Sequence, residues 1–151
     1  MTTQFNVLKK TRELVFKRIE NLSLEQLHTI PTGFNNNIIW NVAHLVVTQQ
    51  LLHYKLSGLQ CLIPDEMIAK YKKGTVPTEK VSAEEVEEIK ELLMGLPDTL
   101  EEDFNAGIFE HYQTYPTSTG YVLTDINNAI AFNNMHEGLH LGTIMALTKL
   151  V

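Results

Sequence analysis

Close to the C-terminus the chain reads NMHEGLHLGTI, and within it HEGLH sets His136 and His140 four positions apart. On an α-helix such residues share a face, so both imidazoles can address one metal ion. The stretch is a literal match to the H-E-x-x-H signature of zinc proteases, in which the intervening glutamate, here Glu137, is the general base. A catalytic metal site also needs a third protein ligand and an open position for water or substrate. The protease extensions do not supply one. The metzincin pattern asks for Gly and His where this chain has Thr143 and Ala146, and none of the eleven residues after His140 is acidic. If a metal binds, its third ligand lies upstream.

The elements that could position such a ligand are helices. Phe5, Leu8, Val15, Ile19 and Leu22 keep helical spacing, which predicts a first helix to about Asn21 with Thr2 or Thr3 as cap. SLEQLHTIP then reads as a short turn between Ser23 and Pro31. IIWNVAHLVVTQQLLHYKL, between the Asn35 to Asn37 cluster and Gly58, is apolar around most of its circumference and belongs in the interior. A long connection with Pro64, Gly74 and Pro77 follows, holding at most one helical turn at DEMIAKY, and looks like a crossover. Ser82 and Glu85 form a capping box ahead of a stripe of Val86, Ile89, Leu93, Leu96, Leu100 and Phe104; the stripe stays in phase across Pro97, which predicts a kinked helix. IFEHYQTYPTSTGYVL has no helical period and reads as an ordered loop or irregular hairpin. Thr124 or Asp125 caps the last helix, whose inward stripe is Ile126, Ile130, Asn133, Glu137, His140, Ile144 and Leu147 with His136 beside it. The expectation is one all-α domain over residues 1–151: a four-helix bundle with a long crossover between its second and third helices and an irregular loop before its fourth, a fold that builds metal sites from facing helices.

In that frame the upstream ligand can be chosen. His28 sits in the short turn and His111 in the aromatic loop. His44 and His53 share the second helix but lie nine residues apart, half a revolution, so one of them at most faces the last helix. His44 is deep in the apolar run WNVAHLVV, whereas His53 approaches the polar end, so the expected set is His44, His136 and His140. A di-iron carboxylate site, suggested by EQLH and EGLH, does not fit: the second helix has no acidic residue and EQLH lies in a turn. One divalent ion fits better than two.

Composition narrows the partners. With 44% hydrophobic and 20% charged residues and a net charge of −6, the chain is globular, and an acidic surface without basic runs argues against nucleic acid. MTTQFNVLKK lacks an apolar signal core and no stretch is long enough for a membrane span, so a cytoplasmic location without membrane contact is expected. The single cysteine, Cys61, excludes an internal disulfide and a Cys-rich metal site, and reads as packing.

PTGFNNNIIWNVAHLVVTQQLLHYKLSGL, the segment around TYPTSTG, and MHEGLHLGTI together resemble the DinB-like superfamily of small bacterial four-helix bundles, over nearly the whole chain. The specific part is the histidine of the second helix with H-x-x-x-H and a following glycine in the fourth, here His44, His136, His140 and Gly142. Many members have glutamine after that glycine, where this chain has Thr143. The resemblance implies a divalent metal, zinc or nickel, on the three histidines, and a homodimer. Its better understood members are similar to transferases and isomerases that work with low-molecular-weight thiols.

Three neutral imidazoles leave a cation its full charge, which lowers the pKa of a bound thiol or water. The first expectation is therefore thiol S-transfer to an electrophilic small-molecule substrate. The second is metal-dependent hydrolysis of an ester or amide, with Glu137 as catalytic general base, a role that competes with its merely orienting a histidine or facing the bundle edge. The third is a metal-binding or structural bundle without catalysis, which would have no accessible pocket beside the metal. Asn133, one turn before His136, could hold a ligand's second nitrogen. Trp40, Tyr54, Tyr112 and Tyr115 could wall a pocket, and Phe132, Met135 and Leu139 could serve core or dimer contact.

Overall fold

The apolar periodicities condense into four long helices, seen in a computed structural model that describes residues 1–151. Helix α1 (Thr2–Ile19) buries Phe5, Leu8, Val15 and Ile19 along one stripe. Its N-cap is Met1, without a side-chain hydrogen bond, because the helix already includes Thr2 and Thr3. The expected turn after it is a short helix, α2 (Leu24–His28), closed by a reciprocal capping box between Ser23 and Gln26. Helix α3 (Ile38–His53) starts where the Asn37 side chain accepts from the Trp40 amide at 2.9 Å, and it is buried on nearly every side. It runs into a 3-10 turn (Lys55–Ser57), and Gly58, at φ +74°, supplies the left-handed residue that ends it.

The crossover carries a helix of its own, α4 (Asp65–Tyr71). Lys70 Nζ and Tyr71 Oη both donate to Glu85, at 2.8 and 2.6 Å, and so tie α4 to the start of helix α5 (Ala83–Asn105). At that start Ser82 Oγ accepts from the Glu85 amide at 3.2 Å. Helix α5 continues through Pro97. A proline has no N–H for the carbonyl four residues earlier, which here is that of Leu93. The orphaned oxygen accepts instead from Arg12 Nη1 at 3.1 Å, so the helix survives its proline by borrowing a donor from α1. The aromatic loop that follows forms a minimal antiparallel ladder, β1 (Tyr115–Pro116) with β2 (Val122–Leu123). Asp125 Oδ1 then caps helix α6 (Ile126–Leu147) by accepting from the Asn128 amide at 2.9 Å.

Helices α1 and α3 each pack on both α5 and α6, so the four long helices enclose a core that divides into two apolar clusters, of 21 and 9 buried residues. No helix is long and apolar enough to cross a membrane.

One polar cluster lies inside that core. Arg12, fully buried, stands on the α1 stripe midway between Leu8 and Val15. Its Nε and Nη2 donate to the two carboxylate oxygens of Glu137 at 2.8 and 2.6 Å, and Nη2 also reaches the Leu45 carbonyl and Gln49 Oε1. With the bond to Leu93, one guanidinium links α1, α3, α5 and α6. Gln49 Nε2 donates in turn to the Leu96 carbonyl at 3.0 Å.

Candidate metal centre

His44 enters the site from α3, and His136 and His140 from α6, the two helices that the apolar runs press together. Their ligand-capable nitrogens all lie within 4.8 Å of one another, close enough for one metal ion to reach each. His53, half a turn of phase away on α3, is fully buried elsewhere, while His28 and His111 lie outside the cluster. His28 is a pin: its Nδ1 bonds to the Leu24 carbonyl at 2.6 Å and its Nε2 accepts from the Val81 amide at 2.9 Å.

Two of the rings are oriented by hydrogen bonds on the nitrogen that faces away from the cluster. His44 Nδ1 donates to the Tyr71 carbonyl at 2.7 Å, leaving Nε2, with Thr48 Oγ1 at 3.3 Å, carrying the lone pair. The crossover helix therefore aims this ligand, and Trp40 fixes its plane by stacking on it at 4.7 Å and 10°. His140 Nδ1 donates to Asn41 Oδ1 at 2.8 Å. The Asn41 amide is itself oriented, because its Nδ2 donates to the Asn37 carbonyl at 2.7 Å and so presents oxygen to the imidazole. Holding the second nitrogen in this way fixes the tautomer of a metal-binding histidine. Asn41 does what was expected of Asn133, which instead turns inward and lies 3.4 Å from Glu137 Oε1. His136 Nδ1 is enclosed and has no hydrogen-bond partner in the protein.

Burial sets the protonation states. It lowers the pKa of His44, lowers that of His136 to about 3 with help from His140, His44 and Arg12, and lowers that of His140 to about 4 with help from His44. All three rings are thus neutral near pH 7, the form in which imidazole binds a metal. The donor set fits a divalent cation: neutral nitrogens from two rigid helices, and an enclosed nitrogen otherwise left unsatisfied.

The cluster opens on a pocket of about 530 Å³, with His44, His136 and His140 in its wall. Phe132, Met135 and Leu139, expected to serve core or dimer contact, are the apolar side of this pocket, and the β1–β2 hairpin contributes Tyr115 and Thr117 to Thr119. Tyr54 and Tyr112 pack elsewhere, donating to Asp103 and to the Leu52 carbonyl.

Glu137, expected as a candidate general base, points the other way. It is fully buried, both oxygens are engaged by Arg12, and it is absent from the pocket wall. Burial pushes its carboxyl pKa up while Arg12 and Asn133 oppose the shift. The neighbour of a histidine on a helix points about 100° away from it, and here that direction is the core. Cys61 is half-buried, with its thiol pKa raised by burial, as a packing residue should be.

An all-α fold with three convergent histidines on facing helices defines a class of small helical proteins with a cluster that could hold a metal ion. The chain belongs to the DinB superfamily, whose family model matches residues 8–144. No curated protein matches it.

Proposed function

We propose that this protein is a metal-dependent thiol S-transferase. In this reading His44, His136 and His140 hold one divalent ion, zinc or nickel, and the pocket beside them receives a low-molecular-weight thiol and an electrophilic small molecule. The observation that carries it is the pairing of a three-histidine cluster with an adjoining pocket whose wall contains no carboxylate. When bound, a divalent cation on neutral imidazoles supplies charge that lowers the pKa of a thiol near it.

The chain's own residues do the rest. Tyr71 and Asn41 hold His44 and His140 by their Nδ1 protons, so the Nε2 lone pairs stay directed at the cluster. Phe132, Met135 and Leu139 provide an apolar wall that limits water around the thiol sulfur and suits an uncharged electrophile. The sulfur forms a bond to the electrophilic carbon as the leaving group departs with the bond's electron pair, and the thiol proton passes to solvent. Carboxylate-assisted hydrolysis at the same centre has no base in the pocket wall, which leaves attack by a metal-bound hydroxide alone as the second reading. A purely structural site would need no pocket at all.

The test is a thiol panel with a chromogenic electrophile, run on protein loaded with zinc or nickel. Adduct formation that requires metal, and that disappears in His44→Ala, is the expected result. Absence of metal-dependent adduct with every thiol would contradict the proposal.

A further inference from the structure

The pocket is charged in one sense only. Lys55, in the 3-10 turn that ends α3, and Lys73, in the segment after α4, both line it. Neither belongs to an ion pair, whereas Lys9, Lys10, Lys70 and Lys90 all do. The chain has 18 acidic residues against 12 Lys and Arg, so a cavity lined by two lysines and no carboxylate reverses the overall balance. The other polar side chains around it besides the histidines, Thr48, Gln113, Tyr115, Thr117, Ser118 and Thr119, are neutral.

This imbalance extends to the histidines. Their rings bring no negative charge, so a divalent ion there would add to the positive charge of the lysines, and only a ligand could offset it. A cavity of about 530 Å³ has room for a small molecule with groups at both ends. We infer that Lys55 and Lys73 form an anion subsite, and that the pocket selects a small molecule carrying a carboxylate or phosphate group apart from the atom that meets the metal. The inference rests on the proposed metal site for the position of that second atom. Lys55 and Lys73 are specificity-determining residues in this account, since ammonium donors bind anionic oxygens by charge-assisted hydrogen bonds.

Two measurements test it. In the first, cobalt(II)-loaded protein is titrated with 3-mercaptopropionate, 3-mercaptopropanol and 3-aminopropanethiol, and the thiolate-to-cobalt absorption band reports binding. The preference for the carboxylate thiol over the alcohol should fall about tenfold in Lys55→Gln/Lys73→Gln, the scale of one charge-assisted hydrogen bond. In Lys55→Glu/Lys73→Glu the preference should pass to the amine. Both lysines are exposed, so these variants should fold as the native chain does. An unchanged preference in the variants would overturn the inference.

The second measurement uses metal-free protein with 13C-methyl methionine, since Met135 lines the pocket. Succinate and inorganic phosphate are added separately, with 1,4-butanediol as the neutral control. A Met135 shift with either anion, absent in the double Gln variant, supports the subsite and shows which anion it prefers. No anion-specific shift overturns it. Failure to load cobalt would count against the metal site alone, while the methionine titration still decides the subsite.

Discussion

His136 and Glu137 are adjacent in sequence and belong to opposite kinds of polar site. Glu137 turns into the core, where Arg12 takes both its oxygens and the remaining guanidinium bonds go to backbone or Gln49, so the cluster closes on itself. His136 turns toward α3, where its ring stands 5.2 Å from that of His44 and 4.5 Å from that of His140 on its own helix, and one of its nitrogens has no partner. The same two helices therefore carry a cluster whose ion pair is saturated, with only Asn133 Oδ1 beside it lacking a partner, and an unsaturated one. A buried polar group in the first kind holds the fold together, and in the second kind it is held in place by the fold with a lone pair to spare.

The comparison can be broken by substitution. Glu137→Gln leaves the Arg12 charge buried without its counter-ion and should destabilise the protein by about 3–5 kcal/mol, measured by urea unfolding, because breaking one half of a buried pair is costly. The joint replacement Arg12→Met/Glu137→Met should recover much of that loss. A cost below about 1 kcal/mol for Glu137→Gln would mean that the hub does not hold the helices. His136→Ala, by contrast, should leave the metal-free protein's stability within about 1 kcal/mol of the native value, since no hydrogen bond of the fold runs through its enclosed nitrogen.

Acid acts on both regions, since burial lowers the pKa of His136 and His140 as it does that of His53. His53 is fully buried against the Ala129 backbone without a well-formed hydrogen bond, and burial lowers its pKa to about 3, with the Arg12 charge adding to the shift. The unfolded chain takes up that proton near pH 6.5 and the folded chain does not, so between about pH 6.5 and pH 3 the unfolded state binds more protons and stability is lost as pH falls. The unfolding free energy of metal-free protein should drop toward a limiting slope of about 1.4 kcal/mol per pH unit for each such histidine. His53→Leu should flatten the profile, and an equally steep profile in that variant would place the acid sensitivity elsewhere.

A further effect, on metal affinity and not on the fold, belongs to Asn41. Asn41→Ala removes the acceptor that orients His140 and should weaken metal binding by about 10–100-fold in a chelator competition, with little change in metal-free stability. Unaltered affinity would assign the orientation of His140 to helix packing alone.

Much of this arrangement was legible in the sequence, because helical periodicity and capping are local. The stripes through Val86 to Phe104 and Ile126 to Leu147, and the caps at Ser82 and Asp125, follow from residues within a turn or two of each other. The choice of His44 over His53 needed only helical phase and the polarity of neighbouring residues. Arg12 left a weaker trace. It fills the α1 stripe at the position missing between Leu8 and Val15, and Glu137 interrupts the α6 stripe, so two opposite charges sit on faces that ought to be apolar. Pairing them requires knowing that α1 packs on α6. Asn41 was hidden for a different reason: every face of α3 is buried, so no phase singles out one polar residue. The α4 helix showed in the sequence as a turn at DEMIAKY, but the meeting of its Tyr71 carbonyl with His44 is a contact across 27 residues that no local pattern carries.

Metal content decides whether the three-histidine cluster is a metal site. Protein purified without a polyhistidine tag is measured by plasma mass spectrometry beside His44→Ala and His136→Ala, on α3 and α6 respectively. The account predicts one divalent ion per chain in the native protein and none in either variant. No bound ion after incubation with zinc or nickel, or an ion retained in both variants, would contradict it.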